Sequence, residues 1–520
     1  MTDALRRFLS SRWPWALCLL PLVLLLPPIP IDETRYLTAT WEMTLSGHWL
    51  VPTVNGVVYT DKSPFLFWLI ALGWKAFGVH TWVARALALG VTWAMLELLR
   101  RLARRLALDD AAMWLLAGCF GIAIFAGAIM FDLLLAACVL LAMHALLDLD
   151  AARWRRGIGV LGLAVGLGVL AKGPVVLLHV AGAALLAPWW SATARASKAR
   201  WYAALAAGIG IGAAIALAWL LPAALIGGEA YWQPLLAKVS GRLHASFAHA
   251  RPLWWYLPLL PVLLLPWTLA LRAPRAAWAA LPRERAGRFA LAWFVPPFLA
   301  FCLISGKQVH YLVPLLPALA LGGAVVLGQA GARVAARLYA LLALAAAAGV
   351  AVLPWWAARK YGFDAQPALA LLALVPLVVA VGLWRGARAA TPRGIALAST
   401  ALGAAVLLGG TLALAPALDV GPTARFIAAA QAEGRPIAHI EWHNGLFGYV
   451  GRLRQPLPVI AREEVRAWCF AHPDGYVIAS DGSDEPRGVA PWRTWPYFNS
   501  GHRRIGVWRA ADLVAAQAAP

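Results

Sequence analysis

Thirteen apolar runs divide this 520-residue chain and leave it few ways to fold. They fall at about 13–31, 82–99, 111–130, 132–147, 158–171, 174–190, 202–226, 253–271, 289–305, 311–328, 338–354, 366–384 and 394–416. A helix rises about 1.5 Å per residue, so most of these runs reach across roughly 30 Å of hydrocarbon. The runs at 132–147 and 158–171 sit near the lower length limit for a span. Helices also pair every backbone N–H and C=O within one segment, as lipid demands. The expectation is an all-α polytopic membrane domain. Composition agrees: 62% of residues are apolar and 13% are charged, about half the charged share of a soluble domain. Arg6, Arg7 and Arg12 precede the first run, which lacks a small-residue cleavage site and ends in Pro27, Pro28 and Pro30. It reads as an uncleaved anchor rather than a signal peptide.

The net charge of +21 invites a nucleic-acid reading, but its distribution points to topology. With the N-terminus in the cytoplasm, 23 of the 45 Lys and Arg fall in cytoplasmic segments, such as Arg100, Arg101, Arg104 and Arg105. Eleven lie on the outer side and eleven in the tail. This is positive-inside alternation, and an odd number of spans puts the C-terminus outside. Nucleic acid is not expected as a partner. The five cysteines include no CxxC pair, so neither a disulfide frame nor a thiolate metal site is indicated.

Two outer segments are polar enough to fold outside the bilayer. Residues 32–81 begin DETRYLTATWEMTLSG, with apolar positions at helical spacing, followed by HWLVPTVNGVVYTDKSP. This reads as an interfacial helix, a turn at Asn55-Gly56, and a second short helix through FLFWLIALGWKAFG, too short to span. Residues 417–520 hold the strand-like runs RPIAHIEW, GYVIAS and RRIGVWRA and a helical RFIAAAQAEG. A small α/β domain is expected there, giving a membrane domain over 1–416 and an outer domain over 417–520.

Ionisable groups at membrane depth are costly, which makes those at the outer boundary candidates for chemistry. Asp32 and Glu33 stand where the first span exits; Asp61 and Lys62 open the second short helix. Asp132 and Lys172 occupy short outer turns. Arg242, His244 and His249 lie in the outer loop of 227–252, and Lys307, Gln308, His310 and Tyr311 begin the tenth run. Taken singly, each has a plainer reading. Asp32, Glu33 and Asp132 could cap helices, Lys172 could snorkel, and His244 and His249 could be surface residues. Their shared side is the stronger signal. Cations and carboxylates at one membrane face suit a lipid-linked phosphate. No P-loop and no strand-borne GxGxxG appears, so the energy of group transfer would come from the lipid-phosphate bond.

The stretch IDETRYLTATWEMTLSGHWLVPTVNGVVYTDKSPFLFW resembles the first outer loop of the bacterial 4-amino-4-deoxy-L-arabinose lipid A transferase family. That loop typically runs DE-x-R-Y, SGDW-x-VP, NG-x-x-Y, EKPP. The wider group comprises relatives of dolichyl-phosphate-mannose–protein mannosyltransferases with the GT-C fold. FDLLLAA, LAKGPV and SGKQVHYLVPLLPAL match further family motifs in order, so the resemblance covers about residues 1–330. It implies an integral inner-membrane glycosyltransferase with its active site on the periplasmic side. The implied partners are an undecaprenyl-phosphate-linked sugar donor, lipid A or another glycoconjugate as acceptor, and membrane lipids. The implied catalytic carboxylates are Asp32 and Asp132. Lys62, Arg242 and Lys307 are expected at the lipid phosphate. Glu33, Arg35, Tyr59, Asp61, Lys172 and Tyr311 are expected to position substrates. The family's EKPP is DKSP here, with Asp61 and Ser63 at the changed positions. The family's metal-binding histidine has no matching position: Lys238 stands in that neighbourhood, while His244 and His249 follow Arg242. A divalent metal is compatible with the resemblance but not required by it. Two alternatives stay open: the same chemistry with another sugar onto lipopolysaccharide core, another glycan or protein, and a lipid-linked sugar transporter.

Overall fold

The computed structural model describes residues 11–244, 250–499 and 502–518, leaving out the side chains of 238–244, 499, 502–503 and 517–518. Each of the thirteen apolar runs is helical, in whole or in pieces. Among the described residues, nine helices are long and apolar enough to cross a membrane. The first, third, sixth and eighth runs instead form shorter or broken helices. The first is Trp13–Leu25, about 20 Å long at 1.5 Å per residue, ended by the proline cluster. The third breaks at Cys119 into Ala111–Gly118 and Phe120–Phe125.

A break in a buried helix frees carbonyls that lipid cannot satisfy. Here side chains from three other helices take them. Trp267 Nε1 donates to Leu115 O (2.6 Å) and Trp15 Nε1 to Ala117 O (3.1 Å). Ser399 Oγ donates to Gly118 O (2.7 Å) and Thr400 Oγ1 to Ala117 O (3.2 Å). The small residue at Gly118 permits this approach, since a Cβ there would meet Trp267 at 2.7 Å and the Ala396 backbone at 2.9 Å.

The outer segment after the seventh run differs from expectation. The chain is helical from Lys198 to His244, as two helices that meet at a kink at Gly228 (φ 56°), with Pro222 before the kink and Pro234 after it. Arg242 therefore lies on a helix rather than in a loop. Near Gly228, Ala223 and Tyr231 pack on Val51, and Trp219 Nε1 donates to Leu50 O (3.1 Å).

The 32–81 segment folds as its pattern predicts. A helix spans Asp32–Ser46 and stops at Gly47, in the left-handed region (φ 73°) that glycine adopts freely. Strands β1 (Thr53–Val54) and β2 (Val57–Val58) form a hairpin. Asn55 (φ 53°) and Gly56 (φ 75°) supply the two positive φ values of its tight turn. The Glu42 carboxylate ties helix to hairpin, accepting from Thr53 Oγ1 (2.7 Å) and from the amides of Asn55 (2.5 Å) and Gly56 (3.0 Å). The second helix is Phe65–Phe77.

A short pair, β3 (Leu271–Arg272) and β4 (Arg333–Val334), joins two loops between spans. Towards the C-terminus lies a five-stranded sheet of order β6-β5-β7-β9-β8. Its strands are β5 (Ile437–Ile440), β6 (Val459–Ile460), β7 (Tyr476–Ala479), β8 (Arg493–Asn499) and β9 (His502–Arg509). β5 is parallel to β6 and β7, and β9 is antiparallel to β7 and β8. The three strand-like runs of the sequence are β5, β7 and β9. The short β6 and the β8 strand Arg493–Asn499, with Pro496 inside it, did not stand out.

Two histidines are buried at the exit of β5. His439 bonds to Glu441 O (2.9 Å) and Ser480 Oγ (3.1 Å), while both ring nitrogens of His443 lack a partner among the described residues. Burial pushes His439 down to about 4, against backbone acceptors that raise it. Burial, and then the neighbouring His439, push His443 down to about 3. Both stay neutral when folded and take up protons near 6.5 when unfolded. Their environment thus favours folding fully above pH ~6.5, and that contribution is lost as pH falls from there towards 4. The unfolding temperature of the sheet region should drop between pH 7.5 and 5, and His443→Phe should shrink the drop. A pH-independent unfolding temperature would contradict this.

Candidate active site

Asp32 is the first residue of the Asp32–Ser46 helix, where unpaired N–H groups favour a carboxylate. Its side chain is 45% exposed. Oδ1 accepts from the Arg35 guanidinium and, one turn along, from Tyr36 OH (3.2 Å). The Arg35 guanidinium also lies 6.0 Å from the Tyr59 ring centre. Among the described residues, Tyr59 OH and Arg35 Nε are buried without a hydrogen-bond partner. Burial raises both Tyr36 and Tyr59, with the charge of Asp32 adding to it, so both phenols keep their protons. The result is a half-open carboxylate beside two unused donors.

Glu33 faces the opposite way. It is 4% exposed and makes a bidentate pair with Arg85 (2.7 and 3.1 Å). It also accepts from the amides of Ile29 (2.8 Å) and Ile129 (3.0 Å). Arg85 donates further to Pro27 O (2.7 Å) and Gly127 O (2.8 Å). Both carboxylate oxygens of Glu33 are thus occupied inside the protein.

Asp132, in the first turn of the helix Phe131–Asp150, is 2% exposed. It pairs with Lys172 at the end of Trp154–Lys172, and His310 Nε2 lies 3.9 Å away. The Lys172 ammonium also sits 4.6 Å over the ring of Tyr311. Lys62, in the turn before the second short helix, lies 5.8 Å from the ring centres of both Tyr36 and Phe131. Tyr36 and Phe131 meet edge-to-face at 4.9 Å. Burial, then the like charge of Lys172, push Lys62 down to about 8, opposed by Asp132 and Asp32. The carboxylates and cations expected from four separate segments therefore feel one another's charge.

Asp61 is exposed beside this group and adds to the field at Tyr59. Lys307 is 2% exposed, and its ammonium donates to the carbonyls of Arg251 (3.2 Å) and Ile304. It ties the 250s to the start of the tenth run, so both contacts given to it are backbone ones. The side chains of Lys238, Arg242, His244 and His249 lie outside the described residues. Among the described residues, no group of three or more His, Cys, Asp or Glu is arranged to hold a metal ion. His310 was placed at the outer boundary without a role, and Tyr36 and Arg85 were not singled out as site residues from sequence. Tyr36 could have been, because it follows Asp32 at the i, i+4 spacing of one helix face.

Similar proteins share this architecture. The chain is 34% identical over 380 residues to "Undecaprenyl phosphate-alpha-4-amino-4-deoxy-L-arabinose arabinosyl transferase" of Pseudomonas aeruginosa strain LESB58, covering 68% of this chain and 66% of that protein. It is 33% identical over 414 residues to the protein of the same name from strain UCBPP-PA14, covering 73% of this chain and 71% of that one. The matched stretch thus spans about two thirds of the length of such relatives. The crystal structure of ArnT from Cupriavidus metallidurans in the apo state superposes with a TM-score of 0.73 over 98% of both chains at 19% identity. The form bound to undecaprenyl phosphate gives 0.72, over 100% of this chain and 99% of that one. These matches establish the fold. No protein-family model matches the chain.

Two predictions follow from the charges. Removing Arg85 alone strands a buried carboxylate, at a cost of about 3–5 kcal/mol. Thermal unfolding of Arg85→Met should show that loss, and Glu33→Gln/Arg85→Met should recover most of it. Equal stability of the single variant and wild type would contradict this. Lys62 loses its proton near pH 8 in the free protein, so affinity for a phosphate ligand should fall as pH rises through 8. Titrating undecaprenyl phosphate binding from pH 6.5 to 9.5 checks this, and Lys62→Arg should move the fall to higher pH.

Proposed function

Because the chain belongs to the undecaprenyl phosphate-alpha-4-amino-4-deoxy-L-arabinose arabinosyl transferase family, we propose that it moves 4-amino-4-deoxy-L-arabinose from an undecaprenyl-phosphate carrier to lipid A. The chain is a multi-pass membrane protein of the inner membrane. In the proposed orientation its N-terminus is cytoplasmic, and the Asp32 group and the 417–520 domain are periplasmic. The observation that carries the reading is the meeting of Asp32, Arg35, Lys62, Asp132 and Lys172 at one place.

The chemistry would be a single displacement. An acceptor oxygen attacks the anomeric carbon, the bond from that carbon to the carrier phosphate breaks, and its electron pair stays on the phosphate. One displacement inverts an α-linked donor. Charge grows on the departing phosphate, where Lys62 and, in this reading, Arg242 stabilise it. A lipid A phosphate is already ionised and needs no base. With a hydroxyl acceptor, Asp32 would take the proton. The unused donors of Tyr59 and Arg35 suit sugar oxygens, and Lys172 would fix the direction of the Asp132 carboxylate. Glu33 would position substrate indirectly, by fixing the start of the helix that carries Asp32 and Arg35.

A lipid-linked sugar transporter would use broken helices to bind substrate at mid-bilayer. The break at Cys119 favours that reading less than the transferase, since tryptophan, serine and threonine side chains fill it. Other sugars or acceptors remain the nearer alternative, because Asp61 and Ser63 depart from the family motif.

The test is the mass spectrum of lipid A from a deletion strain. Complementation with wild type should restore a mass increment of one 4-amino-4-deoxypentose per modified phosphate. Lys62→Ala should lower turnover of the donor by about 100-fold or more. Asp32→Asn should lose transfer to a hydroxyl acceptor more than transfer to a phosphate. Unaltered lipid A with wild type present would overturn the assignment.

A further inference from the structure

One stretch of the C-terminal region, residues 445–457, grips both halves of the first outer loop. On the helix side, Thr38 is 1% exposed and uses its hydroxyl in both directions. Oγ1 donates to Gly445 O (2.8 Å) and accepts from the Tyr449 amide (2.9 Å). Trp41 Nε1 donates to Leu453 O (2.8 Å). On the hairpin side, Asn55 Nδ2 donates to Leu457 O (2.8 Å), and its Oδ1 accepts from the Leu457 amide (2.7 Å). The approach is close. A Cβ at Gly448 would lie 2.5 Å from Thr38 Cγ2, and one at Gly445 would lie 2.6 Å from Val54 Cγ1.

Two of the three gripped residues, Thr38 and Asn55, stand next to the two halves of the candidate site. Thr38 follows Arg35 by three residues on the helix that begins at Asp32. Asn55 turns the hairpin that leads into Tyr59 and Lys62. Glu42 supplies a separate tie between helix and hairpin, near the far end of the helix from Asp32. The stacked rings of Trp74 and Tyr449 (5.2 Å, 6°) hold the C-terminal region down independently of Thr38.

We propose that residues 445–457 act as a splint that sets the separation between the Asp32–Arg35 half of the site and the Tyr59–Lys62 half, with Thr38 and Asn55 as positioning residues for sugar transfer. This rests on the functional reading above. In a displacement the attacking oxygen, the anomeric carbon and the departing phosphate lie near one line. Groups that serve opposite ends of that line must keep their spacing, and an error of about 1 Å costs roughly 100-fold in rate. Valine at 38 keeps the shape of threonine but leaves a buried carbonyl and a buried amide unpaired. Glycine at 55 keeps the positive-φ turn and removes only the paired side-chain bonds.

The experiment uses the full chain in lipid nanodiscs, with undecaprenyl-phosphate-linked 4-amino-4-deoxy-L-arabinose and lipid A. Thr38→Val and Asn55→Gly should each lower kcat by roughly 10- to 100-fold, with KM for the donor within about threefold. Thr38→Ser should return kcat to within about threefold of wild type. Tyr449→Phe removes the bond to Thr81 Oγ1 (3.0 Å) but leaves every hydrogen bond of the splint to Thr38, Trp41 and Asn55. It should lower the unfolding temperature while leaving kcat near wild type. Hydrogen–deuterium exchange should quicken in residues 32–46 and 53–58 of Thr38→Val and stay unchanged in 131–150. Wild-type kcat in folded Thr38→Val, or an equal loss in Tyr449→Phe, would overturn the splint. A wild type that binds undecaprenyl phosphate but transfers nothing would overturn the functional reading instead. The exchange measurement would then decide the splint by itself, with unchanged exchange in 32–46 and 53–58 counting against it.

Discussion

The buried pair of Glu33 and Arg85 is the contact on which the site's layout depends. An ion pair at 4% and 1% exposure is sustainable only if hydrogen bonds satisfy what each charge lost on leaving water. Those bonds come from Pro27, Ile29, Gly127 and Ile129, the chain just after the first helix and just before Phe131–Asp150. Satisfying the pair therefore pins two exits from the bundle to one point on Thr81–Arg105. Asp32 lies three residues beyond Ile29 on one exit, and Asp132 three residues beyond Ile129 on the other. The carboxylates proposed for chemistry are thus placed by a carboxylate that does none.

Much of this was legible in the sequence because it is local. Hydropathy located all thirteen helical runs, and Asn55-Gly56 located the hairpin through the positive φ values its turn needs. The DETRY motif located Asp32 and Arg35, and outer sidedness gathered Lys62, Asp132 and Lys172. What escaped is long-range. Asp32 and Glu33 look alike as neighbours, yet one is half open and the other sealed, because helical rotation turns adjacent residues about 100° apart. The break at Cys119 carries no proline. It exists because Trp15, Trp267, Ser399 and Thr400 arrive from far along the chain to accept it. Lys307 sits in a recognisable motif, but carbonyls of Arg251 and Ile304 that no motif announces hold its ammonium.

Charge economy gives the site its character. In a chain with 13% charged residues, each cation near Asp32 and Asp132 acts on few others. Asp132 balances Lys172, and the surplus positive charge falls on Lys62, which burial and Lys172 bring down to about 8. A cation so poised is weakly held by the empty protein. An incoming phosphate relieves both the repulsion and the lost hydration, so Lys62 gains most where negative charge is greatest. In the proposed reaction that is the departing phosphate, whose charge is larger after bond cleavage than before.

The Asp32–Ser46 helix is consequently fixed from two directions. Glu33 and Arg85 hold its first turn to the bundle, and Thr38 and Trp41 hold its middle to the C-terminal region. A helix fixed at both places cannot rotate about its axis, so the one acidic side chain of its first turn left half exposed, Asp32, keeps a constant direction. Rigid backbone around a single open carboxylate is what a displacement needs, since the geometry is then set before the sugar arrives rather than by it. In the splint reading, the sheet behind residues 445–457 serves the proposed site from a distance. It converts a short amphipathic helix, marginal alone in water, into a fixed support.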